Sequence, residues 1–197
     1  MEEFYEDYIK EKQVIDIYEA NKFGIRLLLI LTLASFLAFY LYWPDTFFIK
    51  LGNLFAVNGI WNLLVGFVKV IAIVVMGIVF HELIHGLFWA VFAKKGFQSV
   101  KLGILRKYLT PYCHSKEPLK VWQYILGAIM PALFLGFLPL ILSIIHGSLP
   151  WLIFGVFFIA AAGGDFIMIN MLLKEKMTDW VQDHPSEAGF YMFRKKD

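Results

Sequence analysis

Four long apolar segments dominate the pattern of hydrophobic and polar residues along the chain. They cover residues 27–43, 70–93, 121–145 and 149–173, and as helices they are long enough to cross the hydrocarbon core of a bilayer. The first has only 17 residues, but Arg26 can extend its charge to the interface and Trp43 can anchor the other end. The pattern therefore predicts an all-α membrane protein, a bundle of about four transmembrane helices.

The segments around these runs predict the rest of the organisation. Residues 1–26 form an N-terminal segment in which an amphipathic surface helix is expected, and residues 174–197 form a C-terminal tail. The apolar stretch 46–62 is expected to be an interfacial or re-entrant helix. Residues 94–120 are predicted to form a small loop or hairpin, because apolar and polar residues alternate there. Residues 27–173 are thus expected to be one transmembrane domain.

The basic residues predict how the chain is oriented. Hydrophobic residues make up 59% of the chain and charged residues 17%, and the mean hydropathy of +0.66 is far above that of soluble domains. Sixteen of the 18 Lys and Arg residues lie in 1–26, 94–120 and 174–197, whereas only Lys50 and Lys69 lie between the first two runs. By the positive-inside rule, both termini and the 94–120 segment are cytosolic, in a multi-pass protein of the cell membrane. Because topology already accounts for the basic loops, no nucleic-acid partner is expected.

The second apolar run contains a cluster of residues that bind metal. Residues 81–85 read His-Glu-Leu-Ile-His, which places His81 and His85 one helical turn apart on the same face, with Glu82 beside them. Two imidazoles in this arrangement can fill two positions of a tetrahedral zinc site, and the adjacent carboxylate can act as a general base. Ionisable side chains are costly in hydrocarbon, so a functional explanation is favoured over a pair of hydrogen-bonded structural histidines.

The fourth run supplies a candidate third ligand. Asp165 is its only charged residue, and both Asp165 and His85 lie eight residues, or about 12 Å, from the cytosolic end of their runs. The small residues 160–164 would let another helix approach closely, or let the backbone loosen. Zn²⁺, two neutral imidazoles and the carboxylates of Asp165 and Glu82 sum to zero charge. The alternative is an isolated buried acid, either protonated or bonded to a neighbour such as Asn170.

Three other histidines and one cysteine are further candidate ligands. His146 lies at the opposite end of its helix, too far from His85 to share an ion. His114 and His184 lie in cytosolic segments from which either could fold toward the site, although Asp-His-Pro at 183–185 is typical of a turn. Cys113 is the only cysteine, which excludes an intramolecular disulfide and a cysteine-rich zinc cluster.

Several short motifs together resemble a known family of small bacterial membrane proteins, described as putative zincin peptidases. They are His81-Glu82-Leu83-Ile84-His85-Gly86, the stretch 112–119, Pro131, Gly163-Gly164-Asp165, and Asp183-His184-Pro185 followed by Gly189-Phe190. The layout is also distantly similar to that of site-2 proteases. The resemblance implies His81, His85 and Asp165 as ligands of one zinc ion per chain, with Glu82 as the catalytic base.

The predicted function is that of an intramembrane zinc metallopeptidase. Its partners would be the lipid bilayer and a membrane protein or peptide substrate. Two alternatives remain open: a metal-binding membrane protein that does not cleave peptides, such as a zinc carrier or sensor, and a regulatory membrane protein with an inactive site.

Overall fold

The computed structural model describes residues 7–56, 59–105 and 110–196, and most of them are helical. The long helices are α1 (Ile17–Tyr42) and α3 (Gly59–Phe92), and the shorter α2 (Pro44–Phe55) lies between them. Helix α4 (Val121–Pro131) continues through a π-helical turn (Ala132–Phe137) into α5 (Leu138–His146). Helices α6 (Leu149–Ala161) and α7 (Gly163–Leu172) follow.

Local chemistry explains where these helices begin and end. The Asp16 side chain accepts hydrogen bonds from the backbone N–H groups of Tyr18 and Glu19, so it caps the N-terminus of α1. Pro44 lies in the first turn of α2, where its missing N–H costs nothing. Gly147 ends α5 in a left-handed conformation with φ +64°, which a residue without a side chain adopts readily.

Within the described residues, three helices are long and apolar enough to cross a membrane: Ile17–Tyr42, Gly59–Phe92 and Val121–His146. Helices α6 and α7 form a fourth if they are counted as one broken span, since they are bent by 45° at Ala162. The expected bundle of about four spanning helices is therefore compatible with the structure. The bend interrupts the helix at the small residues 160–164, where the sequence allowed either close approach of another helix or local loosening of the backbone.

The prediction of an all-α protein is wrong, because strands cover one end of the helices. Strands β1 (Tyr8–Val14), β4 (Leu119–Lys120), β5 (Trp180–Asp183) and β6 (Gly189–Lys195) form an antiparallel sheet in the order β1-β6-β5-β4. Strands β2 (Val100–Leu105) and β3 (Thr110–Ser115) form the hairpin predicted within 94–120. The two terminal segments form strands because they pair with each other, with Tyr8 opposite Lys195 and Val14 opposite Gly189.

Several boundaries also differ from those predicted. The surface helix expected within 1–26 is wrong for residues 8–14, which form β1. Helix α1 begins ten residues before the predicted 27, because Lys22 and Arg26 do not interrupt a helix. Of the interfacial or re-entrant helix expected in 46–62, residues 46–55 are helical in α2, whereas 59–62 belong to α3, which begins well before the predicted 70. The interfacial or re-entrant placement stays a prediction. Residues 57–58, 106–109 and the two extreme ends lie outside the described residues. The division into segments and one domain stays a prediction.

The sheet brings both ends of the chain to the same end of the helices. Strand β1 leads directly into α1, and its partner β6 follows α7. A buried core joins the two layers there, with contributions from α3, α4, α7 and the strands: Trp89, Leu119, Val121, Tyr124, Leu172, Val181, Phe190 and Met192. A second cluster packs α1 against α6 near the opposite end. The first core lies directly beside the candidate metal ligands.

Candidate metal centre

Helix α3 presents both histidines of the motif on its buried face. His81 and His85 are one turn apart, and both side chains are buried. Their Nε2 atoms lie 3.2 Å from each other. This convergence of two ring nitrogens follows from the i, i+4 spacing along a helix.

Helix α7 supplies an acid to the same point. Asp165 lies in the first turn of α7, where the bend at Ala162 redirects the chain. Its Oδ2 atom is 3.2 Å from His81 Nε2, and its Oδ1 atom is 3.4 Å from His85 Nε2. Asp165 is therefore not isolated, and its contacts are with the histidines rather than with Asn170.

The surroundings of His85 fix which of its nitrogens is available. Its Nδ1 lies 3.0 Å from the carbonyl oxygen of Gly127 in α4. Because a carbonyl only accepts, Nδ1 carries the proton, and in the neutral ring the lone pair is on Nε2, which faces His81 and Asp165. Trp89 stacks on a face of the ring, with centroids 5.0 Å apart and an interplanar angle of 14°. His85 is thus held in both rotation and tautomer.

The three side chains fit a metal ion of the zinc type. A tetrahedral ion with ligands at about 2.0–2.1 Å holds neighbouring ligand atoms about 3.3 Å apart, close to the 3.2–3.4 Å separations observed here. Two imidazoles and a carboxylate are also a donor set that zinc accepts. Each of the three residues offers one ligand atom, and these atoms all lie within 4.8 Å of one another. The buried Nδ1 of His81 has no hydrogen-bond partner in the described part of the chain.

These residues line a cavity of about 240 Å³ between the helices and the strands. Glu82 borders it next to the ligands, and the backbone N–H of Cys113 in β3 donates a hydrogen bond to its carboxylate. Strand β3 and the turn between β5 and β6 form the other walls. The described lining contains four carboxylates and no Lys or Arg, so a cation at the ligands would balance part of this negative charge.

Comparison with known proteins gives one clear finding. The sequence model of a family described as putative zincin peptidase matches residues 73–179, which is more than half of the chain. The chain belongs to this family. The matched region contains His81, Glu82, His85 and Asp165. Neither a curated protein nor a solved structure matches the chain.

Membership of the zincin peptidase family implies zinc, and the cluster of His81, His85 and Asp165 is where the chain could hold it. The other histidines have different surroundings. His184 lines the cavity, but its Nδ1 accepts hydrogen bonds from the backbone N–H groups of Ser186 and Glu187, which agrees with a turn. His114 is buried in the cavity wall, where burial lowers the pKa of its imidazole. Neither belongs to the group of candidate ligands among the described residues.

The structure adds one acid to the site that sequence reasoning missed. Asp183 is buried in the cavity wall, where its carboxylate accepts hydrogen bonds from the hydroxyl of Tyr124 and, at 2.6 Å, from the backbone N–H of Ser115. Asp183 therefore connects β5, β3 and α4. Burial raises the pKa of Asp183 to about 6, although both hydrogen bonds oppose this shift. Asp183 belongs to one of the motifs that carry the family resemblance, but as a sequence that motif indicates only a turn and no role for the carboxylate.

Tyr124 links the same acid to the metal ligands. Its ring stacks on Trp89 with centroids 4.8 Å apart, and Trp89 in turn stacks on His85. The Trp89 indole N–H also donates to the backbone carbonyl of Tyr124 at 3.1 Å. A continuous series of contacts therefore runs from Asp183 to His85.

Proposed function

We propose that this chain is an intramembrane zinc metallopeptidase that hydrolyses peptide bonds of membrane-associated proteins. The observation that carries the proposal is the convergence of His81, His85 and Asp165 at 3.2–3.4 Å, with Glu82 bordering the same cavity. Membership of the zincin peptidase family supports the reaction class. The long apolar helices support the membrane setting, because the ligands lie on helices that are themselves candidate spans or part of a broken one.

The residues of the site have separate roles in this proposal. His81, His85 and Asp165 hold the ion, which when bound supplies Lewis acidity to water and to a substrate carbonyl. Glu82 accepts a proton from the attacking water and later delivers it to the departing amine. The hydrogen bond from Cys113 N–H orients the Glu82 carboxylate for this transfer. The carbonyl of Gly127 keeps His85 in the tautomer that the ion needs, and the stack on Trp89 holds the orientation of its ring.

We further propose that the protein lies in the cell membrane with both termini in the cytosol. The concentration of Lys and Arg in 1–26, 94–120 and 174–197 supports the cytosolic location of the termini. The pairing of β1 with β6 supports a common side for the two ends. The hairpin is tied to the same sheet, since Ser115 N–H donates to Asp183. The basic residues of the segments 1–26, 94–120 and 174–197 would then all lie toward the same side of the membrane.

One experiment tests the function and separates it from its two rivals. Zinc content and cleavage of a membrane-anchored reporter are measured for the purified wild type, for Glu82→Gln, and for Glu19→Gln as a matched change at an exposed position. We expect wild type and Glu19→Gln to bind zinc and cleave. Glu82→Gln should keep the zinc while turnover falls about 10²- to 10⁴-fold.

The other outcomes identify the alternatives. Zinc binding without cleavage of reporters of varied sequence by the wild type would favour a carrier or sensor. A wild type that neither binds zinc nor cleaves would favour a regulatory protein with an inactive site. Equal cleavage by wild type and Glu82→Gln would contradict the assigned base.

A further inference from the structure

A second, larger cavity adjoins the metal centre on the side of α1. It has a volume of about 620 Å³ and lies between α1 and the bent pair α6–α7. We call it the α1 groove; its lining consists of Ile17, Ala20, Asn21, Gly24, Ile25, Leu28, Phe157, Ala160, Ala161, Gly163, Gly164 and Ala188. Three of these residues, Ala161, Gly164 and Ala188, also line the cavity of the metal centre. The two cavities therefore meet beside Asp165.

The α1 groove has the dimensions and chemistry of a peptide site within a membrane. Its lining along α1 runs from Ile17 to Leu28, about 16 Å at the rise of a helix, and its volume lies within the range of about 300–1,000 Å³ that ligand sites have. Apart from Asn21, its side chains are apolar or absent. Ile25, Leu28 and Phe157 at its border are exposed, so the groove opens onto the apolar surface of the helices.

The bend between α6 and α7 adds hydrogen-bonding groups to this apolar surface. The first turn of α7 has no side-chain cap, and the leading N–H groups of a helix have no acceptor within the helix. Gly163 and Gly164, which open that turn, both line the groove, and a side chain on Gly164 would meet no atom within 4 Å. A peptide that leaves its helical form in hydrocarbon needs partners for its own backbone groups. The backbone N–H groups at the start of α7 are donors for the carbonyls of such a peptide, next to the metal ligands.

We propose that the α1 groove is the route by which a membrane-embedded peptide segment reaches the metal centre. This inference rests on the proposed function and extends it to the entry of the substrate. A peptide is favoured over a lipid chain because the groove is continuous with the cavity of His81, Glu82 and His85, and because the bend offers backbone donors that an acyl chain cannot use. The segment would enter between α1 and the α6–α7 bend and meet Asp165 as it unwinds. Entry requires α1 to move away from the bend, because a Cβ atom on Gly163 would lie 3.3 Å from the Gly24 Cα atom.

The first test fills the groove without touching the cavity of the metal centre. Ala20 lines the groove but not that cavity, so Ala20→Phe narrows the route, and Ala34→Phe makes the same change at an exposed position of α1 outside the groove. Cleavage is compared on a reporter with a transmembrane segment and on a short water-soluble peptide with the same cut sequence. We expect Ala20→Phe to lose most cleavage of the transmembrane reporter while zinc content and cleavage of the soluble peptide stay at the wild-type level. Ala34→Phe should retain both activities.

The second test does not depend on catalysis. A photo-crosslinking residue replaces Ile25 in the groove or, as a control, Ile30, which is exposed on another face of α1, both in the zinc-loaded Glu82→Gln protein. In phosphatidylcholine–phosphatidylglycerol vesicles, the probe at 25 should capture the reporter's transmembrane segment and the probe at 30 should not. Unchanged reporter cleavage by Ala20→Phe, equal loss on both substrates, or absence of capture at 25 would overturn the route. If the wild type cleaves neither substrate, capture at 25 still establishes the groove as a peptide site while the proposed function fails.

Discussion

Two acids lie beside the same pair of histidines, but their contacts predict different effects of mutation. Asp165 lies within 3.2–3.4 Å of both Nε2 atoms. Glu82 instead borders the cavity, and its carboxylate accepts a hydrogen bond from the Cys113 backbone N–H. Asp165→Asn should therefore lower zinc occupancy and activity together, because a neutral amide is a weak ligand. Asp165→Glu keeps the charge and should restore part of both. Zinc stoichiometry and reporter cleavage of the purified variants are the measurements.

The outcome for Asp165→Asn also decides the role of the fourth apolar run. Full zinc and full activity in that variant would remove Asp165 from the ligand set. The third ligand would then have to come from His114 or His184, which line the same cavity. Combining Asp165→Asn with His114→Ala or His184→Ala would identify it.

Asp183 predicts a pH dependence of stability. Burial raises the pKa of Asp183 to about 6, above the 3.8 of the free side chain. At pH values between these two, the folded state binds more protons than the unfolded state. The contribution of Asp183 to stability is therefore fully present below pH 4 and is lost as the pH rises through about 6. This difference in pKa corresponds to about 3 kcal/mol in the free energy of unfolding.

Asp183→Asn should flatten that part of the profile, because an amide does not titrate and can still accept a hydrogen bond. Thermal stability of the zinc-free wild type and variant is measured in one detergent from pH 4 to pH 7. The variant should gain stability relative to the wild type as the pH rises. A difference between the two proteins that is constant over this range would contradict the assignment. All other residues are the same in the two proteins, so the comparison isolates position 183.

At the scale of helices, the contact between α3 and α4 holds the metal ligands in place. A Cβ atom added to Gly127 would lie 2.2 Å from the Trp89 ring, and the carbonyl of Gly127 accepts from His85. Gly127→Ala should displace Trp89 from its stack on His85 and lower zinc affinity about 10- to 100-fold, as changes around a ligand do. Gly66→Ala is the control, since a side chain at Gly66 meets nothing within 4 Å. Equal zinc affinity in the two variants, by competition with a chelator, would contradict this role.

The helices and the metal-binding motif could be read from the sequence because both depend on local spacing. Apolar runs specify the spans, and the i, i+4 interval places His81 beside His85 whatever the rest of the chain does. Asp165 could be placed near them by its depth along an apolar run, since spans cross the same layer. These features need no knowledge of which elements are neighbours.

The sheet and the role of Asp183 could not be read in the same way. Strand β1 pairs with β6 more than 170 residues away, and neither has a stable partner within its own segment. Asp183 forms its contacts with Tyr124 and Ser115 only after three separate elements meet. The extension of α1 and α3 beyond their most apolar residues had another cause, since helices continue until a cap or a turn ends them, not where hydropathy falls.

At the scale of the whole molecule, the side of the membrane that the sheet faces sets the orientation of the protein. The pairing of β1 with β6 puts both ends of the chain at the end of the helices that carries the metal centre. Lys50 lies toward the opposite end, where its ammonium group donates to the carbonyl of Gly147 between α5 and α6. One orientation therefore fixes the compartment of both termini, of the hairpin and of the water that reaches Glu82.

Single cysteines in a Cys113→Ala background test this orientation. Lys95, Lys195 and Asn53 are exposed, and the first two lie toward the sheet while Asn53 lies in α2. In intact cells, an impermeant maleimide should label Asn53→Cys but neither Lys95→Cys nor Lys195→Cys, and opening the membrane should make all three reactive. The physical reason is that the basic segments are retained on the cytosolic side during insertion. Labelling of both Lys95→Cys and Lys195→Cys in intact cells would reverse the orientation and place the metal centre near the external surface. Labelling of only one of them would contradict the location of both positions on the same side of the membrane, which the sheet requires.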